Sequence, residues 1–494
     1  MFLTIISNLY DLWLWIWNNL FFINIILSIL VVFFQRRDPT SVWTWLLVLY
    51  FIPIVGFILY LVLCQDFHKN KMFRVKEVED SLNEPIQYQT KEIQKLIAEN
   101  PTDLTNEDRF LNLILYNLNS TGAVFTDNND LKIFTDGKEK FHDLIEEMKT
   151  ATKYIHFQYY IIRDDELFRE IAKVLKQKAK EGVEVRVLGD GMGCRSLSKK
   201  VIDDLRNSGV KVSIFFPALL KWFHLRMNYR NHRKIVVIDG RVGYVGGFNV
   251  GKEYLSEDKY FGHWRDTHLK IWGPSIMGLQ IRFALDWNFA SKENLFLNKK
   301  YFEETIPPDS LNSKCLQVIA SGPDYSTPVI RDTYLQLIHS ARDHIYIQTP
   351  YFIPDDAILS ALKIAASSGV DVRLMIPCKP DHPFVYWATY SYAGDLIKAG
   401  GKCYTYENGF LHAKGICCDS LVCCYGTANM DIRSFKLNFE VNALVYDEDT
   451  TLEMERIFRE DISKCKELKE ELYDNRGYKI RFKEQISRLL SPLL

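Results

Sequence analysis

The sequence predicts an α/β protein in which two N-terminal transmembrane helices are followed by two tandem mixed α/β sandwich domains that form one active site. Three observations predict this fold: two long uncharged stretches near the N-terminus, a strand–helix–strand pattern that occurs twice, and a polar motif that also occurs twice. We expect a transmembrane helical hairpin over residues 1–66, a connector over 67–125, the first domain over 126–300, and the second domain with C-terminal helices over 301–494.

The two uncharged stretches predict membrane spans. No charged residue occurs between Asp11 and Arg36, nor between Asp38 and Asp66, and each stretch exceeds the roughly 20 apolar residues that a bilayer-crossing helix needs. Buried core helices are the weaker alternative. Four basic residues follow the second stretch, which by the positive-inside rule places the catalytic body on the cytoplasmic face of the cell membrane; they are Lys69, Lys71, Arg74 and Lys76.

Composition narrows the range of partners. The 61 Lys and Arg residues balance 62 Asp and Glu residues, so the net charge is −1. No overall basic field attracts a phosphate backbone, and we expect no nucleic-acid partner. Ten cysteines in 494 residues, with vicinal pairs at 417–418 and 423–424, indicate reduced thiols rather than a disulfide framework.

The connector is polar, and the body that follows it is a duplication. In the first copy, a strand at Tyr154–Tyr160 is followed by a helical pattern and by a second strand at Val183–Leu188. The same order recurs at Ile345–Gln348 and Val370–Met375. Two copies of one βαβ-containing domain explain this better than a solenoid, which needs more repeats.

The candidate chemistry lies late in each copy. The order His, Lys, Asp, Gly, Asn occurs twice, and every member of the second set is shifted from its counterpart by the same interval. The first set is His232, Lys234, Asp239, Gly246 and Asn249, and the second is His412, Lys414, Asp419, Gly426 and Asn429. A His and a Lys two positions apart on a strand point to the same face, so both can meet one phosphate group.

A phosphodiester substrate gives each residue type a role. Displacement at phosphorus needs a nucleophile and an acid for the leaving alkoxide, and two histidines can divide these roles. We expect Lys234, Lys414, Asn249 and Asn429 to bind the phosphoryl oxygens. Asp239 and Asp419 receive a supporting role, because Asp239-Gly240 is also a hairpin-turn signal.

No cofactor is expected. The sequence has no spaced set of metal ligands, so we expect no metal. Gly189-Asp190-Gly191-Met192-Gly193 lacks the third glycine of the dinucleotide fingerprint, since Cys194 stands in its place, and no P-loop is present. We therefore expect no nucleotide either.

The paired motifs resemble the phospholipase D superfamily over residues 130–447, which implies two phospholipase D-type domains. Within that superfamily, the stretches Gly426–Glu440, Tyr351–Asp356 and Arg36–Ser41 are similar to bacterial cardiolipin synthases. This resemblance implies a phosphatidyltransferase that condenses two phosphatidylglycerol molecules into cardiolipin and glycerol through a phosphohistidine intermediate. The alternatives are a phospholipase D-type hydrolase or nuclease of the same fold, or a membrane scaffold with inactive repeats.

The resemblance also implies further roles. Asp266 and Glu440 resemble the carboxylates that orient the histidines, and we expect Asp266 to hold His232 and Glu440 to hold His412. The first-copy histidine, His232, is expected to attack phosphorus. Position 247 is Gly where many members have Ser.

Phosphatidylglycerol and anionic bilayer lipid are the expected partners. Two stretches mix aromatic or aliphatic side chains with basic ones, Phe215–Arg230 and Lys479–Leu494. Each is either a membrane-interface surface or a helix packed on the body.

Overall fold

The computed structural model describes residues 11, 14–34, 39–52, 56, 60, 76–99, 108–217, 229–303 and 312–491. The described residues fall into two compact units, one within residues 11–60 and the other within residues 76–491. Most of the Phe215–Arg230 stretch, residues 218–228, lies outside the described residues.

The first unit contains helix α1 (Leu20–Phe34) and helix α2 (Pro39–Phe51). They comprise 15 and 13 residues and carry no acidic residue in the first turn and no basic residue in the last. Within the ranges that the structure describes, no helix is both long and apolar enough to cross a bilayer. The two predicted spans are therefore not confirmed.

A 16-stranded sheet forms the centre of the second unit. Its order is β4-β3-β2-β6-β7-β9-β1-β10-β19-β17-β16-β11-β13-β14-β20, and β5 pairs with β19. The strands from β4 to β1 in this order belong to one copy of the repeat and the remainder to the other, in mirrored order. The copies join edge to edge where β1 runs antiparallel to β10, with Thr126 opposite Leu316.

The strands of the first copy are β1 (Thr126–Phe134), β2 (Tyr154–Tyr159), β3 (Glu184–Asp190), β4 (Lys211–Phe215), β5 (Arg230–Asn231), β6 (Ile235–Ile238), β7 (Val242–Gly246), β8 (Trp264–Arg265) and β9 (His268–Trp272). Those of the second are β10 (Lys314–Ser321), β11 (His344–Gln348), β12 (Phe352–Ile353), β13 (Asp371–Pro377), β14 (Lys402–Tyr406), β15 (Phe410–Leu411), β16 (Gly415–Cys418), β17 (Val422–Gly426), β18 (Met430–Asp431), β19 (Asn438–Tyr446) and β20 (Cys465–Glu467).

The helices of the second unit are α3 (Lys76–Glu99), α4 (Leu111–Thr121), α5 (Gly137–Lys149), α6 (Glu166–Lys180), α7 (Lys199–Asn207), α8 (Ile276–Ser291), α9 (Val329–Ser340), α10 (Asp356–Ser367), α11 (Pro383–Lys398), α12 (Ile432–Lys436), α13 (Glu448–Ile462), α14 (Glu470–Asp474) and α15 (Tyr478–Leu489). Side-chain caps begin several of them. The Asp165 carboxylate accepts from the Phe168 amide ahead of α6, and Asp355 accepts from Ile358 ahead of α10.

Helices cover both faces of the sheet, which makes a three-layer α/β structure. On one face, α5 and α6 pack on the first copy, while α9, α10 and α11 pack on the second. On the other face, α8 and α13 enclose a single core that contains strands of both copies. That shared core fixes the two copies relative to each other.

The predicted connector includes a helix that packs on the second copy. In α4, the Asn117 side chain accepts from the Thr333 hydroxyl at 2.8 Å, and the Tyr116 hydroxyl donates to Asp332 at 2.6 Å. Since β10 and α9 both contact α4, residues 111–121 are part of the wall of the second copy.

The two vicinal cysteine pairs lie in the core of the second copy. The nine described cysteines are free, and all four members of the two vicinal pairs are buried in β16 and β17. They act as small apolar core residues there.

Candidate active site

Each motif histidine is anchored to a strand of the other copy. Strand β5 runs parallel to β19, and the His232 amide donates to the Phe439 carbonyl at 2.9 Å. In the mirrored arrangement β15 runs parallel to β8, and the His412 amide donates to the Arg265 carbonyl at 2.7 Å. The two copies therefore exchange short strands around one centre.

The exchange also sets which carboxylate meets which histidine. Nδ1 of His232 lies 2.9 Å from Oε2 of Glu440, and Nδ1 of His412 lies 2.6 Å from Oδ2 of Asp266. The expected pairing of Asp266 with His232 and Glu440 with His412 is wrong. Each carboxylate follows directly after the carbonyl that anchors the opposite histidine, so the pairs cross between the copies.

The carboxylates orient the imidazoles. When Nδ1–H donates to a carboxylate, the Nε2 lone pair is left to face a substrate. Aromatic rings flank both imidazoles, with the Tyr160 ring 4.9 Å from that of His232 and the Trp264 ring 5.1 Å from that of His412. The ring of each histidine is thus fixed by a carboxylate and an aromatic neighbour.

Two buried lysines lie beside the histidines. Nζ of Lys234 donates to the His232 carbonyl at 2.7 Å, and Nζ of Lys414 donates to the His412 carbonyl. Nζ of Lys414 also lies 2.8 Å from Nδ1 of His412 and 4.0 Å from Oδ2 of Asp266. The His-x-Lys spacing therefore makes the same local contact in both copies.

The electrostatics link the two copies. Burial lowers the pKa of His232, and the charges of Lys234 and Lys414 lower it further against the opposing effect of Glu440. Burial and the Lys414 charge lower the pKa of His412 to about 4, and Lys234 contributes in the same direction. The pKa of each histidine is therefore lowered by the lysines of both copies.

The carboxylates and lysines carry the charge of the site. Burial alone raises the pKa of Glu440, but His232, Lys234 and a hydrogen bond from Thr427 bring it below its usual value. The pKa of Asp266 is lowered similarly by Lys414 and His412 against the effect of burial. Burial lowers the pKa of Lys414 to about 8. At neutral pH the site thus has neutral imidazoles beside ionised carboxylates and two lysines.

The two asparagines differ in their surroundings. Oδ1 of Asn249 accepts from the Ile161 amide at 3.0 Å, and its Nδ2 donates to the Tyr254 hydroxyl at 3.1 Å. Oδ1 of Asn429 is buried with no hydrogen-bond partner among the described residues, and the same side chain forms a hydrogen bond with Asp431. Beyond these contacts, the side-chain amide of each asparagine has a further proton that a phosphoryl oxygen can accept.

The motif aspartates lie at the far end of the motif strands. Asp239 accepts from the amides of Thr152, Lys153 and Tyr154 at 2.7–2.8 Å. Asp419 accepts from residues 342, 343 and 344 at 2.8–2.9 Å and pairs with Arg109. Their contacts tie one strand end to the start of the neighbouring strand.

Position 247 is Gly rather than the Ser of many family members, and the surroundings of the two carboxylates explain this difference. The Thr427 hydroxyl donates to Oε2 of Glu440 at 2.6 Å. A Cβ atom on Gly247 would lie 1.9 Å from Oδ1 of Asp266. The shorter Asp266 side chain therefore occupies the space that a serine at 247 would need.

Two buried ion pairs next to the motif histidines were not predicted from the sequence. Nη1 of Arg233 donates to Asp286 at 2.6 Å, and Gln158 donates to the same carboxylate at 2.6 Å. Near His412, Nε of Arg265 from the first copy donates to Asp461 of the second copy at 2.7 Å, and Gln348 donates to the same carboxylate at 3.1 Å. The available signal was the glutamine itself, which occupies the corresponding strand in both copies.

Metal ligands are not grouped in the described structure. Across the part of the chain that the structure describes, no set of three or more His, Cys, Asp or Glu side chains is placed to hold a metal ion.

The fold and site define a class: a duplicated α/β protein with one two-histidine centre built by both copies. A family model described as "Cardiolipin synthase, PLD-like domain" matches residues 144–260 and 334–462, and one described as "Phospholipase_D-nuclease N-terminal" matches residues 22–63. The chain is 47% identical to a cardiolipin synthase of Oceanobacillus iheyensis over 96% of this chain and 98% of that one. It is 46% identical to the major cardiolipin synthase of Bacillus subtilis, again over 96% and 98% of the two chains.

A solved structure supports the fold. The phosphatidylserine synthase of Haemophilus influenzae superposes with a TM-score of 0.56 at 15% identity and covers 74% of this chain and 92% of its own. The chain belongs to the cardiolipin synthase family of phospholipase D-like proteins.

Proposed function

We infer that the protein is a phosphatidyltransferase that condenses two phosphatidylglycerol molecules into cardiolipin and glycerol. The observation that carries this inference is the crossed pair of histidine–carboxylate contacts, His232 with Glu440 and His412 with Asp266. Two histidines held in this way supply a nucleophile and an acid–base group to one phosphodiester. Cardiolipin synthases 46–47% identical over nearly the whole chain support this substrate class.

In the first half-reaction, Nε2 of His232 attacks the phosphorus of the first phosphatidylglycerol. The bond from phosphorus to the headgroup glycerol oxygen breaks, and His412 protonates the departing alkoxide. Glycerol leaves, and the phosphatidyl group remains on His232. We assign the attack to His232 by its resemblance to the first-copy histidine of related enzymes.

In the second half-reaction, His412 removes the proton from a headgroup hydroxyl of the second phosphatidylglycerol. That oxygen attacks phosphorus, the phosphorus–nitrogen bond breaks, and cardiolipin forms. One phosphodiester replaces another, so the reaction consumes no nucleotide. The carboxylates Glu440 and Asp266 stabilise each imidazolium as it forms.

The lysines and asparagines would bind the phosphoryl oxygens. Lys234 and Lys414 are buried, which strengthens their attraction for an anion compared with a surface lysine. An incoming phosphodiester also favours a protonated histidine, because its negative charge opposes the lysine charges that lower both histidine pKa values. His412 therefore takes up a proton from solvent when the substrate binds, and it gives that proton to the leaving alkoxide in the first half-reaction.

The N-terminal region is proposed to anchor the enzyme in the cell membrane as a two-span hairpin, with the catalytic body on the cytoplasmic face. The uncharged stretches between Asp11 and Arg36 and between Asp38 and Asp66 support this anchor. The family match over residues 22–63 supports it as well. Extraction of membranes with alkaline carbonate tests it: an anchored chain stays with the pellet, whereas a peripheral one is released.

The product assay tests the proposed reaction. Purified protein is incubated with phosphatidylglycerol as the sole lipid, and the products are identified by mass spectrometry. The proposal predicts cardiolipin and glycerol in equal amounts, with no product from His412→Ala. Phosphatidic acid as the main lipid product would instead assign the protein as a hydrolase of the same fold.

A further inference from the structure

The last helix of the chain is packed with its polar face inward. In α15 the side chains of Glu484 and Ser487 are buried. By contrast, Tyr478, Phe482 and Leu489 are 78%, 67% and 75% exposed. A surface helix normally buries its apolar stripe, whereas α15 leaves these apolar side chains exposed together with Lys479, Arg481 and Lys483.

Polar contacts hold the helix in this orientation. Glu484 accepts from Nε of Arg476 at 2.8 Å, and Arg488 forms an ion pair with Asp395 of α11 at 2.6 Å. Just beyond the helix, the Ser491 hydroxyl lies 3.0 Å from the hydroxyl of Tyr392 on α11. These contacts supply hydrogen-bond partners for the polar side chains on the inner face of α15. The apolar side chains are therefore exposed because the polar face of the helix is bound to the body.

The exposed apolar side chains form one stripe. Tyr478, Phe482, Ile486 and Leu489 follow one another at helical intervals of i+4, i+4 and i+3, which places them on the same side of a helix. Basic residues border the stripe on both sides. At about 100° per residue, Lys479 and Lys483 lie along one border and Arg481 along the other.

We propose that this stripe of α15 docks on the surface of a bilayer that contains anionic phospholipid. An apolar stripe bordered by basic side chains fits the boundary between acyl chains and anionic headgroups. The proposal rests on the proposed function to the extent that the enzyme must take its lipid substrates from such a bilayer. It adds a second membrane contact, made by the catalytic body itself.

A second copy of the chain fits this surface poorly. Pairing two stripes would bring the basic borders of one copy against those of the other, and like charges placed together oppose association. An anionic bilayer surface instead places negative headgroups against these positively charged border residues, which favours binding.

Photo-crosslinking tests the contact in the full-length protein. A benzophenone amino acid replaces Phe482, and the protein is reconstituted in vesicles of phosphatidylcholine with or without phosphatidylserine. The matched control carries the same group in place of Ile364, an apolar residue of α10 that is 61% exposed. Both variants also carry His412→Ala, so the readout does not depend on turnover, and failure of the proposed reaction leaves this test intact.

The proposal predicts a lipid adduct at position 482 that exceeds the adduct at position 364 and grows when phosphatidylserine is present. Lys479→Gln together with Lys483→Gln should lower the adduct at 482 by more than about fivefold. Equal lipid labelling at both positions would overturn the proposal, as would a protein–protein adduct at 482, which would assign the stripe to self-association.

Discussion

At the scale of single residues, the two halves of the site differ at two linked positions: the carboxylate that contacts the histidine and the residue next to that carboxylate. Glu440 has Thr427 as its hydroxyl partner at 2.6 Å. Asp266, which is one methylene shorter, lies against Gly247, where any Cβ would come within 1.9 Å of its carboxylate. The glycine that departs from the family pattern is therefore required by the position of Asp266.

This close approach predicts the effect of restoring the serine. Gly247→Ser should displace the Asp266 carboxylate from His412 and lower kcat by about 100-fold, since a shift of about 1 Å at a catalytic group costs that much. Steady-state kinetics with phosphatidylglycerol measure it. Thr427→Ser, which keeps the hydroxyl next to Glu440, is the matched control and should retain most of the activity. A Gly247→Ser enzyme with wild-type kcat would contradict the role given to Asp266.

The crossed pairing also predicts a pH effect. Burial lowers the pKa of His232, and Glu440 partly restores it. The acid limb of kcat/KM, which reports protonation of the free nucleophile, should therefore lie below the ordinary histidine value of about 6.5. Glu440→Gln removes the group that raises this pKa, so the limb should move to still lower pH while kcat falls.

The control for this prediction is Thr427→Val. It removes the hydrogen bond to Glu440 but leaves the carboxylate charge beside His232, so it should shift the acid limb much less than Glu440→Gln. A shift to higher pH in Glu440→Gln would be inconsistent with the His232–Glu440 pair.

At the scale of secondary-structure elements, the histidine and lysine of each motif lie before one end of a strand, and the motif aspartate lies after its other end. Strand β6 lies between Lys234 and Asp239, and an extended chain that rises about 3.3 Å per residue puts the two about 16 Å apart. Asp239 has a φ of 54° and accepts from three backbone amides at the start of β2. Its carboxylate joins two strands and is remote from the histidines.

Asp239→Asn should therefore reduce stability more than chemistry. Loss of the charged acceptor weakens three hydrogen bonds, of which one is buried and two are part-buried, and a buried partner left unsatisfied costs about 1–3 kcal/mol. We expect the midpoint of thermal unfolding to fall by several degrees while kcat at low temperature stays within about threefold of wild type. Differential scanning calorimetry and product formation measure the two. A loss of kcat like that of a histidine variant would show that Asp239 takes part in the reaction.

The sequence predicts those elements that have a local apolar pattern or that occur twice in the chain. Strand β2, strand β3 and their repeats follow from apolar patterns, and the alignment of the two His-x-Lys motifs follows from the constant interval between their members. The crossing of carboxylates was not predictable in this way. Strands β5 and β8 are only two residues long, and so short a strand has no periodicity; it forms only because a distant segment pairs with it.

Two further features show the same limit. The Lys479–Leu494 pattern indicated an amphipathic segment, but periodicity alone does not say which face is inside. That face is set by Arg476 and Asp395, which pair with Glu484 and Arg488. Likewise, Gly247 was visible in the sequence as a departure, but its reason depends on Asp266, which follows strand β8 in a later segment of the chain.

At the scale of the whole molecule, the two copies depend on each other. The sheet is continuous through β1 and β10, and one core extends across both copies. Each histidine takes its backbone anchor and its carboxylate from the opposite copy. A single copy would therefore have neither an oriented histidine nor a second group for the acid–base steps.

This interdependence predicts non-additive losses. His232→Ala and His412→Ala should each lower turnover by at least about 10³-fold, and the double variant should be little worse than either single one, because residues that act as a unit lose their joint effect once. Turnover with phosphatidylglycerol measures all three. Retention of more than about a tenth of the wild-type rate by either single variant would contradict a shared site.

The most direct measurement of the central claim is the location of the covalent intermediate. Wild-type protein is quenched without acid during turnover, digested, and searched by mass spectrometry for a phosphatidyl group on a histidine-containing peptide. The account predicts the adduct on His232, with none in His232→Ala. An adduct on His412 in the wild type, or an adduct that still forms in His232→Ala, would contradict it.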